Sequence, residues 1–173
     1  MTQLYLVRHG ETVDNVRQIL QGQMQGQLND NGIHQAENLR DEMADEPLDA
    51  IVASDLQRAI DTATIIAQPH GLQVVTTPLL RERDWGDMTG TFIPDLKGKV
   101  WPENVETLEA MKDRARRFLQ FIAETYPNQR VLAVGHGIIN KAIQAVYYDK
   151  PMNEVEKMRN GEVRRLMVKG EVI

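Results

Sequence analysis

Five side chains in this sequence could do chemistry together. Leu4 to Val7 is an apolar run that ends abruptly in Arg8-His9-Gly10-Glu11. Val131 to Val134 is a second apolar run, and it ends in Gly135-His136-Gly137. Arg58 lies just beyond a third run, Asp49 to Ser54, and Glu82 precedes a glycine-rich stretch around Gly86 and Gly90. Two histidines, two arginines and one glutamate, in a chain without cysteine, suit phosphoryl transfer. The transferred group spreads charge over three equatorial oxygens, so the protein's work is positioning and electrostatic stabilisation. Guanidinium forks match phosphate oxygens. A neutral imidazole can be the nucleophile, and a carboxylic acid can protonate the departing oxygen. Glycines beside the histidines let backbone N–H groups approach a ligand closely.

Taken singly, each residue has a plainer reading: a histidine in a turn, a solvated helix arginine, a surface glutamate. The recurrence of a strand-terminal histidine, with Arg8 adjacent to the first, favours function. A metallohydrolase could also draw on His9, His136 and Glu82, but the sequence lacks His-x-His, His-Glu-x-x-His or an aspartate cluster at strand ends. Gly135 to Lys141 lacks the Gly-x-x-x-x-Gly-Lys spacing of a nucleotide-phosphate loop. A non-catalytic phosphate-binding protein is a further alternative. His34, on an expected helix, and His70, in a Pro-His-Gly turn, are left out of the site.

These residues need elements to carry them. Leu4–Val7, Asp49–Ser54, Val74-Val75, Val131–Gly135 and Glu162–Val168 read as strands. Asn29-Asp30-Asn31-Gly32 is a helix start, followed by Ile33, Ala36, Leu39 and Met43 at helical spacing. Further helices are expected over Asp55–Gln68, stopped by Pro69, over about Glu106–Tyr126, and over Ile138–Tyr148. Gln21 to Gln27 reads as a loop. Strands alternating with helices predict an α/β fold, a three-layer sandwich with a mostly parallel central sheet flanked by helices. Ligands bind outside the carboxyl ends of such strands, which is where Arg8, His9 and His136 fall.

The 173 residues, 42% hydrophobic and 26% charged, predict one domain over 1–173 with a short cap loop around 86–106. The net charge of −5 argues against nucleic acid or an anionic membrane as partner. No targeting segment or transmembrane run is visible, so the expected location is cytoplasmic. Oligomeric state is not legible.

At these motifs the sequence resembles the histidine phosphatase superfamily, phosphoglycerate mutase-like branch, over nearly its whole length. Leu6 to Asn15 (LVRHGETVDN) is similar to the family signature, Ser54 to Ala63 (SDLQRAIDTA) to its second motif, Leu80 to Gly90 (LRERDWGDMTG) to its Glu-x-x-x-Gly-x-x-x-Gly pattern, and Val134 to Gly137 (VGHG) to its last. The resemblance implies a phosphomonoester hydrolase. His9 attacks phosphorus and becomes a phosphohistidine, Glu82 protonates the departing alcohol and then activates water, and Arg8, Arg58 and His136 hold the phosphoryl oxygens. Asn15, backbone amides near Gln21 and Gly22, and Gly137 complete the phosphate pocket. It implies no metal and no organic cofactor, and a small phosphorylated metabolite as substrate.

The chain departs from the family at Ile19, at Gly26–Leu28, at Val105-Glu106-Thr107 and at Ile138, positions expected to edge the substrate pocket. The short stretch from Gly90 to Glu106, and a chain that stops soon after the last expected strand, favour hydrolysis over a mutase, which must keep water out. A cofactor-dependent phosphoglycerate mutase-type phosphotransferase is the alternative. Trp85, Phe92, Trp101 and Lys97 are candidates to touch the leaving group; the plainer reading is core packing for Trp85 and Trp101 and solvation for Lys97 and Lys99, whose alternative role is contact with a second anionic group.

Overall fold

The computed structural model describes residues 1–170. Its centre is a five-stranded sheet in the order β3-β2-β4-β1-β5. The strands are β1 (Thr2–Arg8), β2 (Ala50–Ser54), β3 (Val74–Thr77), β4 (Arg130–Gly135) and β5 (Val163–Val168). All neighbours run parallel except β5, which is antiparallel to β1. The α-helices are α1 (Val13–Arg17), α2 (Asp30–Met43), α3 (Gln57–Ala67), α4 (Leu108–Thr125) and α5 (Gly137–Tyr148).

The apolar runs are unbroken because the inner strands are buried on both faces. Leu4 and Leu6 of β1 enter one core with Val131 and Ala133 of β4, packed against Phe118 and Leu119 of α4 and Ile139 and Ile143 of α5. Tyr5 and Val7 enter the other with Leu132 and Val134, packed against Leu39 of α2 and Ala59, Ala63 and Ile66 of α3. The result is three layers, as the pattern predicts: α2 and α3, the sheet, α4 and α5.

This arrangement positions the site. β1 and β4 are adjacent, with Arg8 paired to Gly135. The chain leaving β1 leads to α2 on one face, whereas α5 leaves β4 on the other. A crevice must open where neighbouring strands send their connections to opposite faces.

The helix boundaries follow the expected caps. Asn29 accepts the Gly32 N–H at the start of α2, and Thr107 accepts the Ala110 N–H at the start of α4. Two local features differ from expectation. α1 is a short helix that periodicity did not announce. It is held by a capping box in which Thr12 and Asn15 each bond the other's backbone N–H. On α2, Ile33 points outward and Gly32 takes the buried position. A Cβ on Gly32 would stand 2.0 Å from the Glu11 carbonyl oxygen, so only glycine lets the helix pass this close to the loop after β1.

Candidate active site

His9 and His136 face each other at the ends of β1 and β4, their ring centroids 4.9 Å apart and edge to face. Both are buried. His9 Nδ1 lies 2.7 Å from the Gly10 carbonyl oxygen. A carbonyl only accepts, so the proton sits on Nδ1 and Nε2 presents its lone pair. Burial, then the Arg58 charge, hold His9 well below the ordinary histidine value. The ring is therefore neutral at neutral pH, the form that can attack an electrophile.

His136 Nε2 lies 2.8 Å from Ser54 Oγ, and Ser54 Oγ also accepts the Leu56 N–H. A hydroxyl that donates to Nε2 leaves the His136 proton on Nδ1, which has no partner among the described residues. Burial, then Arg58 and His9, lower the His136 pKa far below its usual value. His136 is thus a neutral potential donor whose ring meets that of His9 edge to face and is not among the residues lining the cavity.

Beside the rings is a cavity of about 140 Å3, lined by residues that include Arg8, His9, Asn15, Arg58 and Glu82. Arg8 Nη1 donates to the Met158 carbonyl at 2.8 Å, while its buried Nε has no partner among the described residues. Arg58, 1% exposed, donates to the carbonyls of Gly22 at 2.7 Å and Gln25 at 3.3 Å, and to that of Met24. Its buried Nε is unpaired among the described residues. Burial pulls Arg58 down to about 10, against the pull of Glu82, so it remains a cation at neutral pH.

Arg58 therefore spends much of its fork on ordering the Gly22–Gln25 loop. Gly22 gives its carbonyl to Arg58 and, with Gln21, lines the cavity where the backbone amides were expected. Gln21 lines the cavity with its Oε1 accepting from Thr12 Oγ1, which leaves its amide N–H groups for a ligand. Asn15 also lines it; its Oδ1 is taken by the Thr12 N–H and, at 3.4 Å, by Asn160.

Glu82 lines the same cavity as Arg8 and His9. Its carboxyl accepts the Ile138 N–H at 3.0 Å and the Ile139 N–H at 3.0 Å, both from the first turn of α5, and the Arg83 N–H at 2.9 Å. A helix N-terminus has unpaired N–H groups that suit a carboxyl partner. Gly137 opens that helix, and a Cβ there would come 3.4 Å from the Arg8 guanidinium carbon.

The expectations for the pocket edge divide. Ile19, Ile138 and Trp85 line the cavity, and so do Ile93 and Lys157, which the sequence reading missed. Gly26 backs onto Arg58, where a Cβ would meet its Cδ at 2.8 Å. Lys97, Lys99, Phe92 and Trp101 are exposed or half-exposed and do not line the cavity. Trp101 instead packs edge-on against Trp85, with the Arg83 guanidinium over both rings. Glu106 does not edge the pocket either. Its carboxylate pairs with buried Arg114, and Arg114 also donates to the carbonyls of Leu79, Arg81 and Glu82. The signal for Arg114 was its place on the buried face of an amphipathic helix, where an arginine must have partners.

A neutral imidazole, two guanidiniums and a carboxyl line one small cavity and form a place for a tetrahedral oxyanion, within an α/β fold built to bind at its switch point. The chain belongs to the histidine phosphatase superfamily (branch 1), whose family model matches residues 4–172. It is an enzyme of that family. It is 40% identical over 141 residues to the uncharacterised phosphatase PhoE of Bacillus subtilis (strain 168), covering 79% of this chain and 72% of that one. It is 32% identical to the phosphoglycerate mutase-like protein 4 of Arabidopsis thaliana, over 93% and 77% of the two chains. Among solved structures, a mycobacterial glucosyl-3-phosphoglycerate phosphatase complexed with VO3 superposes with a TM-score of 0.87 at 28% identity, covering 95% of this chain and 92% of that one. Among the described residues, no helix is long and apolar enough to cross a membrane.

Proposed function

We propose that this enzyme hydrolyses a small phosphomonoester through a phosphohistidine on His9, without a metal. The observation that carries this reading is the His9 Nδ1 to Gly10 carbonyl bond, which leaves a neutral Nε2 aimed past the strand end. In the first step Nε2 forms the N–P bond as the P–O ester bond breaks, and Glu82 gives its proton to the departing alcohol. In the second, water attacks phosphorus, Glu82 takes the water's proton, and the N–P bond breaks to release inorganic phosphate. Arg8, Arg58 and the amides of Asn15 and Gln21 meet the charge on the phosphoryl oxygens, and His136 packs against the His9 ring that carries the phosphoryl group. Each such donor is worth roughly 10²–10³ in rate. A cavity of about 140 Å3 lies below the range of pockets for larger ligands, which favours a small metabolite.

The test is hydrolysis of an aryl phosphomonoester by chelator-treated protein, with acid-quench and alkaline-quench trapping of phosphoenzyme. Activity should survive the chelator. The trapped phosphate should be acid-labile and alkali-stable, and His9→Ala should abolish both. Activity lost to chelator and restored by metal would overturn the reading. Relatives named phosphoglycerate mutase-like keep a mutase in view; that activity would return a rearranged phosphoester instead of inorganic phosphate.

A further inference from the structure

We propose that Lys157 selects substrates whose alcohol carries a second anionic group, by pairing with that group at the mouth of the cavity. The inference rests on the phosphatase reading and names its substrate class.

Lys157 lies between the turn at Met152–Glu154 and β5. The segment that carries it is tied to the strand end bearing Arg8 and His9. The Met158 carbonyl accepts from Arg8 at 2.8 Å, Asn160 donates to the His9 carbonyl at 3.0 Å, and the Gly161 N–H donates to the Arg8 carbonyl at 2.9 Å. Met158 itself is buried. A segment tied down this way presents Lys157, exposed to solvent, in the cavity lining at little cost in loop ordering.

That ammonium has company of the wrong sign. Arg8 and Lys141 are its cationic neighbours and Glu82 its acidic one. No hydrogen bond or ion pair to its ammonium occurs among the described residues. Desolvation and then Arg8 lower its pKa, with Glu82 opposing.

The set of cations points to a substrate. The cavity lining holds Arg8, Arg58 and Lys157; the two guanidiniums are taken up by the phosphoryl oxygens in the proposed reaction, which leaves the Lys157 ammonium for another anion. The remaining wall, with Ile19, Leu20, Trp85, Ile93 and Ile138, gives a second anion no other cation. Lys97 and Lys99, the other lysines considered for this task, are exposed on the cap and outside the lining. The shared chemistry is an anion a few bonds from the ester oxygen, either a carboxylate or a second phosphate.

The experiment compares kcat/KM for phosphoglycolate and ethane-1,2-diyl bisphosphate, each against the neutral 2-hydroxyethyl phosphate, in wild type, Lys157→Met and Lys157→Arg. The wild type should prefer at least one anionic substrate, and which one it prefers separates carboxylate from phosphate. Lys157→Met should shrink that preference roughly five- to thirty-fold, between the worth of an exposed pair and that of a charge-assisted bond. The loss should fall mainly in KM. Lys157→Arg should restore most of it, and added salt should narrow the wild-type preference. An equal preference in wild type and Lys157→Met, or a wild type that favours the neutral ester, would overturn the proposal and leave the phosphatase reading standing. Failure of wild type on all three esters and on an aryl phosphate would overturn both.

Discussion

The side chains that hold Glu82 sit two shells deep, and they explain a pairing that the sequence left unread. Glu106 and Arg114 form a buried fork. The remaining Arg114 N–H groups reach the carbonyls on either side of the turn into Glu82. A guanidinium serves several acceptors in one plane, and an ammonium cannot. Arg114→Lys keeps the charge and loses the fork. It should cost about 2 kcal/mol in stability and lower kcat more than it raises KM, because the Glu82 backbone loses its hold while the phosphate donors stay. Urea denaturation beside steady-state kinetics with an aryl phosphate checks both. Unchanged kcat in a destabilised protein would make Arg114 a brace for the fold alone.

Between elements, α2 comes close to the loop after β1. The Gly10 N–H donates to Thr62 Oγ1 of α3. A Cβ on Gly10 would lie 2.4 Å from the Gly32 carbonyl oxygen. Glu11 then fastens the loop to α2, accepting from Asn29 and Asn31 and donating its N–H to Gln35. Gly32→Ala would drive a methyl into the Glu11 backbone. The loop must move, and His9 moves with it. We expect a lower thermal midpoint, reflecting the typical 1–3 kcal/mol of an overpacked contact, and a fall in kcat beyond that of Ile33→Ala, which alters an exposed neighbour on the same helix. Equal kcat in the two variants would show that the loop absorbs the methyl without disturbing His9. This contact also marks where sequence reading stops. The sheet was legible because strands buried on both faces leave unbroken apolar runs. The histidine pair was legible because each histidine ends such a run. Gly32 looked like part of a helix start and Ile33 like core, since helical spacing alone does not say which of two neighbours faces a loop arriving from elsewhere. Lys157 and Asn160 were missed for the same reason. They belong to an irregular segment with no period, and only the return of the chain beside β1 brings them to the site.

Across the whole molecule, an acidic chain of net charge −5 buries two histidines beside Arg58, and this has a cost that depends on pH. His9 and His136 are both buried and both held well below the ordinary histidine value, first by burial and then by Arg58. In the unfolded chain a histidine titrates near 6.5. Below that pH the unfolded state binds protons that the folded state refuses, so stability falls as pH falls. Above it the contribution is fully present. Each histidine can cost at most about 1.4 kcal/mol per pH unit in this range. The carboxylate of Asp55, lowered chiefly by its bond to Arg81, acts in the same direction only near and below pH 4, so the interval from 6.5 to 5 isolates the histidines. The thermal midpoint should decline steadily across that interval, and His9→Gln should decline about half as steeply because it removes one of the two groups. Meanwhile turnover per folded molecule should persist below pH 6.5, since His9 stays neutral there. A midpoint that is flat over this interval in wild type, or a slope unchanged by His9→Gln, would mean that His9 takes up its proton within the fold, and a neutral nucleophile would then have to be explained by substrate binding instead of by burial.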